Sequence, residues 1–506
     1  MGNSILQLSL AAVNDAAFLL CGAFLVYVVL IVVPFLRHRP SALGDASAFE
    51  WHFLVPCRDE ERVVEATVRR MLGQFPTAHI WCIDDASMDG TPRVLSWLAS
   101  AESRVHLIRR ELPIARQGKG PALNAGWTAL VQSLGPVDAE RVVVGVVDAD
   151  GHLDHHCLNT ITGPTYFLDP TVGSVQIKVR VETEDKGAER SSTSCGPVGR
   201  LLVRLQDLEF SSIIAAMQML RRHVGSVGMG GNGQFTRLSV LNKIAVEHGS
   251  PWHGALLEDF ELGLHVLMSG SRTEYCHDTW VSQEGLPTLK GLVRQRSRWA
   301  QGSMQCMRYL IPVLRSRVIP TAGALEIAYF LFLPWVQLFG GVLYLACLGV
   351  MLQVVFTTGA SQWLSSGAWG VFPLFLIFGV VPLVVWGPVY RRKEDSSVSA
   401  AKALMLGVAN WPYIYFHQVA IWWAFIRILR SRHDWKKTER FERQPTVVPA
   451  TMWLPSISPV TVRGTFVPRR QDCNDAPSSP IVTVRFRSAS AVGVTSASAD
   501  DANAAA

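Results

Sequence analysis

Asp148 and Asp150 stand one residue apart at the end of a β-branched run, Arg141 to Asp154, RVVVGVVDADGHLD. A buried strand delivers acidic groups to the edge of a sheet in this way. Hard divalent cations such as Mg2+ or Mn2+ favour carboxylate oxygens and hold diphosphates, so the pair points to a site for a nucleoside diphosphate. Asp-Ala-Asp-Gly is equally suited to an ordinary strand-to-turn transition. A second pair, Asp84 and Asp85 in WCIDDASMDGT, follows a strand and precedes a capped helix. That is the carboxyl edge, where open α/β sheets bind ligands. Asp89 and Gly90 fit the turn itself, which leaves the adjacent strand-end carboxylates for function. Lys119 in RQGKGPALNAG lies just before a helix N-terminus, where its amine and free backbone N–H groups can meet phosphate oxygens. The plain alternative is a solvated lysine.

Glu258 and Asp259 open a helical stretch in LLEDFELG, with Phe260, Leu264 and Leu267 facing a core. A carboxylate there can act as general base for a hydroxyl nucleophile. Helix-dipole compensation explains acidic residues in a first turn equally simply, and Glu261 has that character. Gln295, Arg296, Arg298 and Trp299 form the last cluster. Guanidiniums bind a diphosphate through charge-assisted hydrogen bonds, and an indole offers a flat face to a sugar ring. The rival is a basic helix lying on anionic lipid headgroups with Trp at the interface. Five glycines between Gly225 and Gly233 allow the backbone to approach a ligand closely. His152, His155 and His156 lack a Cys or Glu at zinc spacing and read as surface histidines.

These residues need a scaffold. From Glu50 to Asp154 apolar strands alternate with amphipathic segments, the pattern of an α/β domain with a mostly parallel sheet. Strands are expected at 52–56, 80–83, 105–108 and 142–147, with helices at 60–72 and 120–131. Thr91 is expected at an N-cap, with Pro92 at the first helical position. The stretch 182–196 is polar and reads as a loop.

The 506 residues suffice for two or three domains, and 49% are hydrophobic. Mean hydropathy is +0.21, high for a soluble chain. Ala16 to Leu36 is uncharged and covers about 30 Å as a helix, so a transmembrane helix is expected over 13–36, its basic RHR end (Arg37 to Arg39) in the cytosol. Further apolar segments occur near 327–356, 371–390 and 404–429, giving a set of transmembrane or interface helices over 324–430. Their flanks conflict: Arg391 to Glu394 and Arg430 to Lys437 are both basic and favour the cytosol, yet one apparent crossing separates them. Either that segment is re-entrant or another crossing is miscounted. Residues 442–506 read as a disordered tail. The net charge of +6 clusters beside apolar runs, which favours a lipid bilayer over nucleic acid as partner. Nine scattered cysteines without a Cys-x-x-Cys pair suit a reducing cytosol.

Taken together, six motifs resemble those of the membrane-integrated family 2 glycosyltransferases, which include cellulose, hyaluronan, chitin and poly-N-acetylglucosamine synthases. In chain order they are VPCRDEE, IDDASMDGT, GKGPALNAG, VDADG, LEDFELG and QRSRW. The resemblance implies an α/β, GT-A-type (Rossmann-like) cytosolic domain at 50–315, flanked by transmembrane α-helices. It implies that Glu60, Asp84 or Asp85, and Lys119 bind the UDP-sugar donor. Asp148 and Asp150 are implied to hold Mg2+ or Mn2+ with the donor, and Asp259 to be the base. Glu258, Gln295, Arg296, Arg298 and Trp299 are implied at the acceptor and diphosphate. The reaction implied is a single inverting displacement that forms a β-linkage. The expected enzyme is a processive polysaccharide synthase acting on a glycan or glycolipid acceptor, with export through its own helices. The alternatives are a single transfer to a lipid acceptor and a non-catalytic membrane scaffold. Against the family pattern, the base motif reads Leu-Glu-Asp in place of Thr-Glu-Asp, and Cys57-Arg58 stands in the opening loop.

Overall fold

The computed structural model describes residues 19, 22–182, 196–359, 376–431 and 460–461. Helix α1 (Gly22–Arg37) precedes the α/β domain. The domain begins with β1 (Glu50–Cys57), α2 (Val64–Gln74), β2 (His79–Asp85), α3 (Thr91–Ala101), β3 (Val105–Arg110), α4 (Lys119–Leu134) and β4 (Val142–Val146). It continues through β5 (His152–Leu153), α5 (Cys157–Ile161), β6 (Val172–Val181), α6 (Pro197–Leu208), a π-turn at Glu209–Ile214 and α7 (Ala215–Val224). β7 (Gln234–Arg237), α8 (Leu238–His248), α9 (Glu258–Met268) and β8 (Arg272–Gln283) complete it. Then come α10 (Leu289–Gln305), α11 (Leu310–Arg315), α12 (Thr321–Thr358), α13 (Val381–Val384), α14 (Trp386–Lys393) and α15 (Ala400–Leu429). Val460–Thr461 (β9) pairs with the outer edge of β3.

The sheet order is β5-β8-β6-β7-β4-β1-β2-β3-β9. β4, β1, β2 and β3 run parallel, as the alternating pattern predicts. The second half departs from that expectation, because β7 lies antiparallel between β4 and β6. The sheet is therefore mixed. Chain order reverses between β1 and β4, and the crevice outside their carboxyl ends is where such sheets bind ligands. Both faces are covered, which explains the unbroken Val-rich run of β4. One face packs Val68, Met71 and Leu95; the other packs Leu123, Trp127, Leu241 and Leu262.

Two local expectations shift. The helix expected from residue 60 begins at Val64, and Gly90 rather than Thr91 occupies the N-cap of α3. One cause serves both: the Thr91 hydroxyl accepts from the Glu60 N–H at 2.7 Å, and Asp89 accepts from the Glu61 N–H at 3.2 Å. The residues after β1 are thus tied to the β2–α3 loop, and their N–H groups are satisfied without a helical turn.

Thr321–Val342 is the one span among the described residues long and apolar enough to cross a membrane, and Gly22–Arg37 is a shorter apolar helix. Residues 183–195 of the polar loop expected at 182–196, the first part of the 371–390 segment and nearly all of the 442–506 tail lie outside the described residues. α15 runs for 30 residues. Just before it, Glu394 accepts from Lys178 at 3.0 Å, and Asp395 pairs with Arg204 at 3.3 Å. In its middle, the Tyr413 hydroxyl donates to Glu209 at 2.6 Å. Near its end, Arg427 donates to Gln301 at 2.8 Å. The first of the two charged flanks therefore meets the α/β domain through Glu394, and residues 432–437 of the second lie outside the described residues. α13 and α14 both approach α15 closely: a Cβ on Gly387 of α14 would lie 2.0 Å from the Ala403 carbonyl oxygen, and one on Gly407 of α15 would lie 2.1 Å from that of Val384 in α13. Only glycine permits that approach.

Candidate active site

The strands deliver the two acidic pairs to neighbouring positions, where each residue finds distinct partners. Asp84 accepts from the Ser87 N–H at 3.0 Å and so shapes the turn. Asp85 pairs with Arg110 at the end of β3 and accepts from the Arg116 N–H at 3.1 Å. Arg116 in turn donates to the Ala86 carbonyl at 2.6 Å. Sequence reasoning missed both arginines; the signal available was the Arg109-Arg110 pair at a strand end. Glu60 is buried beside the same crevice.

Lys119, at the start of α4, is the electrostatic centre. Its Nζ donates to Asp148 Oδ1 at 2.6 Å. Burial pulls Lys119 down, but the charges of Asp148 and Glu258 hold it above the usual lysine value. Asp148 is positioned through its N–H, which donates to Asn232 Oδ1 at 3.1 Å, and Asp150 accepts from the Glu284 N–H at 3.2 Å. Glu258 and Asp259 come from the first turn of α9, across the crevice. Burial pushes the Glu258 carboxyl up to about 7; the Asp259 charge adds to the rise and Lys119 opposes it. Burial raises Asp259 as well, against Lys119. Such a pair titrates as a unit. A carboxylate raised above its usual range is a stronger base and suits proton abstraction from a hydroxyl.

Gly231 closes this group. A Cβ there would lie 2.6 Å from Asp259 Oδ2 and 3.2 Å from Lys119 Nζ, and its φ of +80° favours glycine. This gives the glycine-rich stretch its physical reason: the backbone passes against the acidic centre. Gly231→Ala is expected to lower turnover by about 100-fold by displacing the Asp259 carboxylate. The check is steady-state kinetics beside a thermal unfolding midpoint, which the strain alone lowers only slightly.

On α10, the four predicted residues divide. Arg298 faces the carboxylates: burial lowers it, while Glu258, Asp148 and Asp259 oppose that shift. Arg296 instead pairs with Glu209 at 2.6 Å and lies 4.2 Å over the Trp299 ring. It buttresses the indole. Glu209, in the π-turn, carried no sequence signal. Gln295 and Trp299 line the crevice with them.

Asp148 and Asp150 fit a divalent cation of a particular kind. No group of three or more His, Cys, Asp and Glu side chains suited to a metal occurs among the described residues. Two carboxylates at the mouth of a crevice are the donor set of an ion that takes its remaining ligands from a diphosphate and water, not from a closed protein cage.

The crevice is one cavity of about 610 Å3. Asp85, Lys119, Asp148 and Asp150 line one end. It continues past Asp259 and Trp299 to Phe330 and Leu333 of α12 and Ile414, His417 and Ile421 of α15.

With this geometry in place, the chain's relatives can be compared. The profile described as glycosyltransferase like family 2 matches residues 51–302. Over 278 residues, 54% of this chain and 51% of the relative, the chain is 28% identical to the beta-monoglucosyldiacylglycerol synthase of Synechocystis sp.. Over 262 residues, 50% of this chain and 55% of the relative, it is 24% identical to the poly-beta-1,6-N-acetyl-D-glucosamine synthase of Staphylococcus aureus. The chain thus spans about half the length of the curated relatives it matches. Among solved structures, a mannosyltransferase from Pyrobaculum calidifontis in complex with GDP-Man and Mn2+ aligns with a TM-score of 0.49 and 18% identity, over 79% of this chain and 97% of that one. Through the domain at residues 51–302, whose motifs the fold gathers at one sheet edge, the chain belongs to the family 2 glycosyltransferases.

Proposed function

We propose that the protein is an inverting glycosyltransferase that moves a sugar from a UDP-sugar to a hydroxyl of a lipid acceptor at a membrane surface. One observation carries this reading: the cavity that begins at Lys119 and the two acidic pairs runs without interruption to the apolar side chains of α12 and α15. A donor sugar and an apolar acceptor tail then share one space. The glycolipid named for the Synechocystis relative supports the same acceptor class.

In this reading Asp85 lies at the nucleoside, and Lys119 and Arg298 face the diphosphate. Asp148 and Asp150 would hold Mg2+ or Mn2+, which would supply positive charge against the departing diphosphate. Asp259 removes the proton of the acceptor hydroxyl as its oxygen attacks the anomeric carbon, and UDP leaves from the opposite face. The fixed charges around the leaving group are preorganised, so little rearrangement accompanies the step.

The membrane placement follows the same logic. α1 presents Val26, Val29 and Val33 outward, and α12 presents Leu325, Phe332, Val336 and Phe339. Apolar residues exposed along two helices suit lipid contact. α15, tied to the α/β domain before its start and at Tyr413 and to α10 near its end, lies along the membrane surface instead of crossing it. That arrangement leaves both basic flanks on the cytosolic side and removes the conflict in their charges.

Incubation of membranes with a panel of UDP-sugars and Mg2+ or Mn2+ tests the function. UDP release with a short glycolipid product is expected; no release with any donor would overturn the glycosyltransferase reading. The S. aureus relative favours a second reading, processive polymer synthesis. A product ladder of high molecular weight on denaturing gels would establish that one in its place.

A further inference from the structure

The far part of the cavity contains polar atoms that have no partner in the protein. Gln295 Oε1, Arg296 Nε and Nη1, Ser303 Oγ and His417 Nε2 are shielded from solvent and make no hydrogen bond. All four residues line the same cavity. Gln295, Trp299 and Ser303 recur every fourth residue of α10, so they share one stripe of that helix.

His417 enters from α15. Its ring stands edge-on to Tyr413 with centroids 4.9 Å apart. The Tyr413 hydroxyl and Arg296 Nη2 meet on the same oxygen of Glu209, each at 2.6 Å. The imidazole is therefore fixed beside α10. Arg296 covers one face of the Trp299 indole, and Phe210 stands edge-on to it at 5.9 Å.

Buried polar groups in folded proteins are hydrogen-bonded with few exceptions. Several exceptions along one wall of one cavity mark a place for a polar ligand. The wall has a stated chemistry: Gln295 Oε1 only accepts, Arg296 only donates, and Ser303 and His417 can do either. A molecule with several hydroxyl groups satisfies all of them, and the indole beside them suits the apolar flank of a sugar ring. A bare alcohol on an apolar tail brings a single hydroxyl, with one donor to share among them.

We propose that the lipid acceptor already carries a sugar, and that Ser303 and His417 determine specificity by hydrogen-bonding hydroxyls of this resident sugar that are not attacked. The inference rests on the lipid-acceptor reading above. The tail lies along Leu333, Ile414 and Ile421, and the resident sugar lies between that apolar section and Asp259.

Two acceptors with the same tail, decyl β-glucoside and 1-decanol, test the proposal in the full-length detergent-solubilised protein with the UDP-sugar that gives release. The wild type is expected to prefer the glucoside. His417→Leu and Ser303→Ala are each expected to lower the ratio of kcat/KM for glucoside over decanol by about tenfold, chiefly through KM. His417→Asn keeps a donor and an acceptor and is expected to restore the ratio to within about threefold. Calorimetric binding of UDP checks the fold of each variant. A ratio unchanged in both His417→Leu and Ser303→Ala would overturn the proposal and leave the lipid-acceptor reading standing. Transfer to neither acceptor would overturn that reading and this proposal together.

Discussion

Asp259→Asn is expected to lower sugar transfer by about 10²- to 10⁴-fold, the range spanned by loss of a positioned general base. The substitution keeps size and shape but removes the charge proposed to take the hydroxyl proton. The surrounding geometry argues that the loss is chemical and not structural. Asp259 Oδ1 accepts from the Phe260 N–H at 2.7 Å, a bond the amide oxygen of Asn can also make. The first turn of α9 therefore keeps its shape. UDP binding by calorimetry is expected to persist, because Asp85, Lys119 and Asp148 lie on other elements. Transfer retained at the wild-type rate would remove Asp259 from the mechanism, and an undisturbed cellular phenotype would favour the scaffold reading.

Lys119→Met is expected to lower turnover at neutral pH by about 100-fold and to move the acid limb of the pH–rate profile to higher pH. The sign follows from the charges. Lys119 lowers both Glu258 and Asp259 against the rise that burial imposes. Removing the cation lets both carboxyls rise further. A base that must be ionised then becomes active only at higher pH, and Asp148 also loses its 2.6 Å partner. Lys119→Arg keeps the charge and is expected to leave the acid limb near its original position, with lower turnover from the bulkier guanidinium. A profile that shifts equally in both variants would show that the titration belongs to another group.

Much of the scaffold was legible because it depends on local pattern. The parallel strands before Asp154 announce themselves by apolar runs separated by amphipathic helices. Their ends carry the acidic pairs, so Asp85, Asp148 and Asp150 could be placed at one edge before any coordinates. Lys119 and Asp259 were legible for the same reason, each lying at the first turn of a helix. The antiparallel β7 was not, since its four residues carry no pattern distinguishing direction. Thr91 was misplaced because its hydroxyl has two possible partners, its own helix and the Glu60 N–H, and only the neighbouring loop decides between them.

The acceptor side divides differently. Arg296 and Arg298 are equivalent cations in QRSRW, yet the fold gives one to Glu209 and the other to the carboxylates. Helical phase alone could separate them, but it could not name a partner 87 residues earlier. His417 lies further still along the chain, in an apolar segment that gives no local sign of its neighbours on α10.

The sequence by itself singled out the candidates at the proposed donor end, Asp85, Asp148, Asp150 and Lys119, and the family to which their domain belongs. Those features repeat over a few residues, where strand and helix periodicity dictate position. Only the tertiary structure decided what each charge faces, that Gly231 presses on Asp259, that α15 packs on α10 and reaches Glu209, and that one cavity joins the acidic centre to apolar helices. These are contacts between segments tens to hundreds of residues apart, and they depend on packing that no local pattern encodes.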